Sequence, residues 1–331
     1  MSAPSDFGNN TISTCLTEQY GITPTNILPL EGGADQNASV YHVTTADTSY
    51  LLKLRQGDYD EKPLLIQQYL HNKGIVEVRA PITTLDHRIA ATSGAYNLVL
   101  YPFIVGKSTA EAPMSLENWV VFGQVMRRIH AMKIPETIHS SLQIETYSSK
   151  YPAAALELLS KIKGQSYLKK VAAKSAKVIN EQSSKIDALI AKTNNCREFV
   201  LAQSLPLVLC HGDIHAGNRF ISNQGEFRII DFDEPILAPK ERDLMFVGGG
   251  VINTDSSQET ESFYQGYGST SISKTAIAYF RCRRVLEDIV LFGDDIFGSE
   301  LEGSDDEINF GYLLSNFTPG GVLDIAMESE I

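Results

Sequence analysis

The chain lacks any close pair of cysteines. Its four, Cys15, Cys196, Cys210 and Cys282, are scattered through 331 residues with no C-x-x-C among them. That spacing argues against a zinc ribbon or a disulfide framework and predicts reduced thiols. Long apolar runs are missing as well: the greasiest stretch, residues 199–210, is interrupted by Gln203, Ser204 and Pro206, so no membrane span is expected. Residues 1–10 have neither a basic nor an apolar segment, so no secretory leader is expected either. Together these absences predict a cytoplasmic protein with no membrane partner. Internal repeats and low-complexity linkers are also absent.

Positive charge is missing from one place in particular. Residues 285–331 hold twelve Asp or Glu and no Lys or Arg, whereas the preceding 284 residues balance at 28 acidic and 28 basic groups. The net charge of −12 therefore resides at one end. It argues against non-specific nucleic-acid binding. Two readings of the acidic segment stay open: a solvated surface, or carboxylates that face a cationic ligand.

What is present is a globular composition, 43% hydrophobic, over a length that suits about two domains. Residues 10–20 read as a short helix stopped near Gly21. β-like runs follow at 26–30, 38–44 and 49–55, then a helix over 60–73, then β-like runs near 82–91 and 96–104. After Val105 the pattern changes. Ser115 can cap a helix reaching Met132, residues 150–203 look largely helical, and a long helix is expected from Ser271 to about Phe292. Short β runs interrupt at 207–210, 219–222 and 228–231, and the first two of these are expected to bracket the loop between them as a hairpin. The fold class predicted is α+β, with a β-rich lobe over 1–104 and a mostly α-helical lobe over 105–331 that carries a helical insertion around 135–203.

The strongest chemical signal is His211-Gly-Asp213-Ile-His-Ala-Gly-Asn218, followed by Ile229-Ile-Asp231-Phe-Asp233. Phosphoryl transfer requires a carboxylate beside the attacking hydroxyl, oxygen ligands for magnesium and a rigid frame for both. Asp-x-x-x-x-Asn on one loop can supply the first two, and a strand-borne Asp can complete the set. This block resembles the H-G-D-x-x-x-x-N pattern of the aminoglycoside phosphotransferase and choline-kinase-like family. Glu31–Asn37, Asp233-Glu-Pro, 238–250 and Phe263–Gly268 extend the resemblance to nearly the whole chain. It implies a two-lobed protein-kinase-like fold and transfer of the γ-phosphoryl group of ATP or GTP, with Mg2+. The implied acceptor is a hydroxyl of a cationic aminocyclitol or aminoglycoside antibiotic, spectinomycin first. A housekeeping kinase of choline, homoserine, thioribose or a sugar is the alternative, and a nucleotide-binding pseudokinase the non-enzyme one. By the same resemblance Asp213 is the catalytic base, and Asn218 and Asp231 hold magnesium. Two departures matter: Asp233 stands where protein kinases have Gly, and no A-P-E motif follows, which argues against a protein substrate.

Lys53, in the alternating run Tyr50–Leu54, is the expected phosphate-binding strand lysine, with Glu61 on the next helix as its expected acidic partner. Gly32 and Gly33 are expected to form a phosphate-covering turn. Tyr101, Phe103 and Ile104 are expected at the hinge, where backbone groups meet the nucleotide base. For the acceptor, Glu241, Asp243, Glu287, Asp288, Asp294 and Asp295 are the candidate carboxylates, with Phe232 and Tyr267 as aromatic walls; the alternative for each carboxylate is a solvated surface charge or an ion pair with Arg242, Arg283 or Arg284. His211 and His215 form a His-x-Asp-x-His pattern that also occurs in metal hydrolases. The other histidines are scattered, so bracing of the loop is the preferred role of His211, and a core position that of His130.

Overall fold

The structure is a computed structural model that describes residues 8–30, 38–57, 59–140, 142–249, 255–298, 303 and 305–331. Gly32 and Gly33 lie outside the described residues. In chain order the first elements are α1 (Asn9–Cys15), β1 (Asn26–Pro29), β2 (Ala38–Thr44), β3 (Ser49–Gln56), α2 (Lys62–Asn72), β4 (Ala91–Ser93), β5 (Tyr96–Pro102), β6 (Gly106–Ser108), α3 (Leu116–His130), α4 (Glu136–His139) and β7 (Gln143–Ile144). Then come α5 (Lys150–Ile162), α6 (Lys170–Glu181), α7 (Ser183–Gln203), β8 (Val208–Cys210), β9 (Arg219–Ser222), β10 (Phe227–Ile229), β11 (Ile236–Ala238), α8 (Glu241–Leu244), α9 (Ser257–Tyr267), α10 (Lys274–Phe297), α11 (Asp306–Ser315) and α12 (Val322–Glu328). They divide into two compact units. The strand-rich unit is 1–114, 133–142 and 217–235; the helical unit is 115–132, 143–216 and 236–331.

In the strand-rich unit a five-stranded sheet runs in the order β1-β2-β3-β5-β4. Alternation along β3 and β5 decides which side chain faces where. Leu52, Leu54, Leu98 and Leu100 pack with Ile12 and Leu16, from α1 and the π-helical turn 16–20 after it. That turn ends at Gly21, whose left-handed backbone (φ 68°) suits glycine. Val99 and Tyr101 face the other way and pack with Leu64 of α2. Lys53 alternates with Leu52 and Leu54, so it belongs to this second face. A smaller sheet, β10-β9-β6, completes the unit, and a parallel bridge joins Val78 to Ile229 at the end of β10.

Three sequence expectations are corrected here. The run 82–91 is not one strand: Ile82 makes a single antiparallel bridge to Leu100, and only the end of the run enters β4. Thr84 instead folds back on Asp86 and Arg88, and His87 is left-handed (φ 65°). The stretches 207–210 and 219–222 do not form a hairpin: β8 pairs with β11, and β9 with β10 and β6. Leu209 and Ala238 are buried in the helical unit, whereas Phe227 and Ile229 are buried in the strand-rich one. Finally, α10 runs on to Phe297, five residues beyond the expected end. After Ile289 and Val290, Gly293 and Ile296 continue its buried stripe past Phe292.

In the helical unit α10 is the central rod. Cys282, Val285, Leu286, Ile289 and Ile296 pack in one core with residues of α5, α6, α7, α11 and α12. Ser115 caps α3, its side chain accepting from Asn118 N–H as the sequence predicts. α3 and α9 approach closely because Gly123 and Gly266 sit at the crossing. A Cβ on either would lie 2.0 Å from Phe263 O or 1.9 Å from Val120 O. β8, β11 and β7 form this unit's small sheet.

Candidate active site

In the strand-rich unit the Lys53 ammonium donates to Asp231 Oδ1 (2.6 Å) and to Asp233 Oδ2 (2.7 Å). Arg55 stands 3.7 Å from the same Asp233 oxygen. Gln67, buried on α2, donates from its amide to Phe232 O (2.9 Å) and to Asp233 Oδ1 (3.2 Å). Asp231 is the more open of the two acids, with half of its side chain exposed against 23% for Asp233. Its backbone is left-handed (φ 61°), a conformation Asp tolerates at a cost of about 1 kcal/mol or more. Asn218, buried, accepts from Ile230 N–H at its backbone oxygen (3.1 Å), which ties the start of β9 to the end of β10. Arg79 lies over the Tyr101 ring at 4.7 Å. Burial pulls its pKa down, and Tyr101, Asp231 and Asp233 partly offset that.

In the helical unit the segment after β8 is anchored by one buried carboxylate. Asp243 accepts His211 N–H at Oδ2 (2.9 Å) and Gly212 N–H at Oδ1 (2.8 Å). His130 Nε2 lies 3.0 Å from Oδ2, and the Tyr267 hydroxyl lies 2.8 Å from His130 Nδ1. Burial alone would raise the Asp243 carboxyl; the hydrogen bond and charge of His130, with His211 and the Gly212 N–H, outweigh it and hold the acid below its ordinary range. Cys210 Sγ shares this cluster, but its thiol points at Ala238 O (3.6 Å) and Pro239 O (3.5 Å), so the group is a hydrogen-bonded hub and not a ligand set. The hub fixes the backbone on which Asp213 sits. The Asp213 carboxylate meets Arg284 Nη1, with His215 Nε2 at 3.5 Å. Burial pushes its pKa up, but Arg284, His215 and His211 reverse the shift and keep it below the usual carboxylate range. Arg284 also donates from Nε to Asp288 Oδ1 (2.9 Å), one turn on. Burial, and Glu287 beside it, push Asp288 up to about 6 against the pull of Arg284.

Residues 26–276 match the profile of the phosphotransferase enzyme family. This chain belongs to that family. The crystal structure of a spectinomycin phosphotransferase in complex with ADP and spectinomycin superposes with a TM-score of 0.91 at 33% identity, over 97% of this chain and 98% of that one. An AMP-bound spectinomycin phosphotransferase gives 0.88 at 32%, over 97% and 99%. An ethanolamine kinase of Plasmodium vivax gives 0.59 at 15%, over 97% and 86%, and shares the fold alone. No curated protein sequence matches. The fold of this phosphotransferase is protein-kinase-like, with an antiparallel sheet in the N-terminal region and a helical C-terminal part. Among the described residues no helix is long and apolar enough to cross a membrane.

Several predicted site residues of the phosphotransferase sit elsewhere than the sequence implied. Glu61 is the exposed residue preceding α2 and is not the partner of Lys53, which is paired with Asp231 and Asp233. Eight residues of separation leave Glu61 at the helix entrance, while the inward face is set by Leu64, Gln67 and Leu70. Tyr267 and Asp243 are interior and mutually bridged by His130, so neither can serve as an acceptor wall or an acceptor carboxylate. Glu241 is likewise buried, and its Oε1 accepts Ser273 N–H (3.0 Å). The Phe232 ring is buried in the strand-rich unit and is no open wall. Glu287 and Asp288 are mid-helix and answered one turn back by Arg283 and Arg284, so the unfavourable dipole of a helix end does not act on them. Asp294 and Asp295 do lie in the last turn, and both are exposed. At the hinge the Tyr101 side chain is core, Phe103 N–H is taken by Ser49 O (3.1 Å), and Phe103 and Ile104 line a cavity of about 560 Å3 with Val78, Pro81 and Ile82.

Sequence reasoning missed Gln67, the contact of Arg284 with Asp213 and the Asp243–His130–Tyr267 hub. Gln67 carries a faint signal, a polar residue at a helix position whose neighbours at i−3 and i+3 are leucines. Arg284 was legible only as the i−4 neighbour of Asp288; its bond to Asp213 joins residues 71 apart in sequence.

Proposed function

We propose that this phosphotransferase transfers the γ-phosphoryl group of ATP or GTP to a hydroxyl of spectinomycin or a related cationic aminocyclitol. The observation that carries this reading is the 33% identity to a spectinomycin phosphotransferase over nearly all of both chains, which exceeds what a shared fold alone requires. The charge of the two units supports it. The strand-rich cluster offers Lys53, Arg55 and Arg79 around Asp231 and Asp233, which suits a polyanionic phosphate chain. In the helical unit, Asp213, Glu145, Glu287 and Asp288 surround Arg242, Arg283 and Arg284, and the acid surplus suits an acceptor bearing ammonium groups.

In this reading Asp213 accepts the hydrogen bond of the acceptor hydroxyl and takes its proton as the new O–P bond forms. Its lowered pKa makes it a weak base. That suffices where the transition state is loose and the hydroxyl needs orienting more than early deprotonation. Arg284 keeps the carboxylate ionised and aimed, and Asp243 keeps its backbone from moving. Lys53 leaves Asp231 to neutralise phosphate charge, which a desolvated ammonium does most strongly as charge redistributes. Asn218 and Asp231 fit magnesium: both offer hard oxygen donors, on segments joined by the Ile230–Asn218 hydrogen bond. Magnesium bound there would supply charge neutralisation for the transferred group. Glu287 and Asp288 are the acceptor's ammonium partners in this reading.

The test is ADP release coupled to a dye or NADH readout, with spectinomycin, other aminocyclitols, choline, homoserine and sugars as acceptors. Turnover highest with spectinomycin is expected. Turnover with a metabolite and none with any antibiotic would assign the chain to housekeeping metabolism instead.

A further inference from the structure

The Lys53 site has two acids and one neutral helix residue, and the division of bonds among them is specific. Asp233 spends its two oxygens on different partners: Oδ2 on Lys53 and Oδ1 on the Gln67 amide. The same amide nitrogen holds Phe232 O, so α2 grips the segment 232–233 from behind. Asp231, in contrast, points half its side chain at solvent. A carboxylate in place of Gln67 would face Asp233 and the carbonyl of Phe232, three acceptors with no donor between them. The amide is therefore the group this geometry needs, and Asp233 stands where it meets both the Lys53 ammonium and that amide. We propose that Asp233 is the resident counter-ion of Lys53, held in place by Gln67, and that this pair does the positioning usually given to a glutamate of the helix. Asp231 is then free to exchange Lys53 for a nucleotide-bound cation while the ammonium keeps its orientation on Asp233. One consequence follows for regulation: the lysine is set by the segment that carries Asp231, so displacement of α2 by itself does not remove the counter-ion.

The inference rests on the proposed phosphoryl transfer only for its kinetic arm. The variants are Asp233→Asn, Gln67→Glu and the double variant carrying both, with Glu61→Gln as the comparison. Thermal midpoints come first and need no turnover. Gln67→Glu is expected to lower the midpoint in the presence of Asp233. Adding Asp233→Asn should recover much of that loss, because one carboxylate and one amide again face each other with their positions exchanged. In kinetics, Asp233→Asn should lower kcat at least about tenfold with little change in KM for the nucleotide, the signature of lost positioning and retained binding. ADP affinity measured by calorimetry in EDTA should not fall, since the competing anion has been removed. The double variant should exceed both single variants in kcat, and Glu61→Gln should match the parent. Full kcat in Asp233→Asn, or a double variant no more stable and no more active than the worse single one, overturns the proposal. An enzyme inactive towards every acceptor, but with the stability coupling intact, would retire the proposed reaction and leave the Asp233–Gln67 pair standing.

Discussion

The two compact units solve one electrostatic problem in opposite senses. In the strand-rich unit the group proposed to meet phosphate is a cation, Lys53, and two carboxylates pair with it. In the helical unit the group proposed as the base is a carboxylate, Asp213, and a cation, Arg284, pairs with it. In both, a second partner holds the occupant from behind: the neutral Gln67 amide grips Asp233, and the Asp288 carboxylate grips Arg284. The difference lies in what stands under each group. Lys53 projects from a central strand paired on both sides, so its backbone needs no special support. Asp213 projects from an irregular segment, and that segment is held by a buried acid accepting two N–H groups. An irregular backbone can be as fixed as a strand when its donors are satisfied by an interior charge. The comparison teaches that the strand site is defined by the sheet, and the loop site by long-range hydrogen bonds.

The largest expected effect strikes the helical side. Asp213→Ala should lower kcat by at least ~10²-fold while leaving ADP affinity nearly intact, as steady-state kinetics and calorimetry will show. Near-parental turnover would break the assignment of roles. Next is the hub: Asp243→Ala removes the acceptor of two buried N–H groups and should lower stability by about 2 kcal/mol or more in urea unfolding. No comparable loss is expected for Lys53→Met. That variant should reduce kcat/KM for nucleotide by roughly tenfold or more, equivalent to about 1.4 kcal/mol, with a thermal midpoint close to that of the parent. If Lys53→Met were the less folded of the two, the contrast between sheet-borne and hub-borne groups would fail.

A smaller effect concerns pH. Asp288 titrates near 6, above the ordinary carboxylate value, so it gains its charge as the pH rises through that region. A cationic acceptor should then bind more tightly above pH 6 than below it, with KM for the acceptor falling several-fold across the transition. Asp288→Asn should flatten that dependence and leave KM for nucleotide unchanged. A profile with the same inflection in Asp288→Asn would place the titrating group elsewhere. The smallest effect is reserved for Asp294→Asn and Asp295→Asn. Both carboxylates are exposed and screened within about 8–10 Å at physiological ionic strength, so acceptor KM should change less than about twofold.

Much of the fold was legible because its signals are local. Strands β1, β2 and β3 fall where alternation predicts them, α2 ends before Gly74, and Ser115 caps α3. The family motif, His211–Asn218 with Asp231–Asp233, was legible because the chemistry proposed for it needs particular residue types at fixed short spacings. What sequence reasoning located poorly were partners across distance. Glu61 was chosen as the acid nearest in sequence on the next helix. The structure uses Asp233, 180 residues from Lys53, because the turn of α2 that faces the lysine carries Gln67. Tyr267 and Asp243 looked like acceptor contacts because aromatic and acidic residues have the same letters whether buried or exposed. Only the close crossing of α3 and α9, allowed by Gly123 and Gly266, encloses Tyr267 with His130 beside the acid.

The sequence by itself determined the α+β order, the motif that marks the phosphotransferase family and the concentration of acid at one end. Helix and strand period, turn residues and short motifs act over a few positions, and the order of residues records them directly. The tertiary structure decided which charges neutralise which, Lys53 with Asp231 and Asp233 and Arg284 with Asp213 and Asp288, and which groups hydrogen-bond to the buried Asp243. Charge pairing depends on separation in space and on burial, and neither is fixed until the chain has closed on itself.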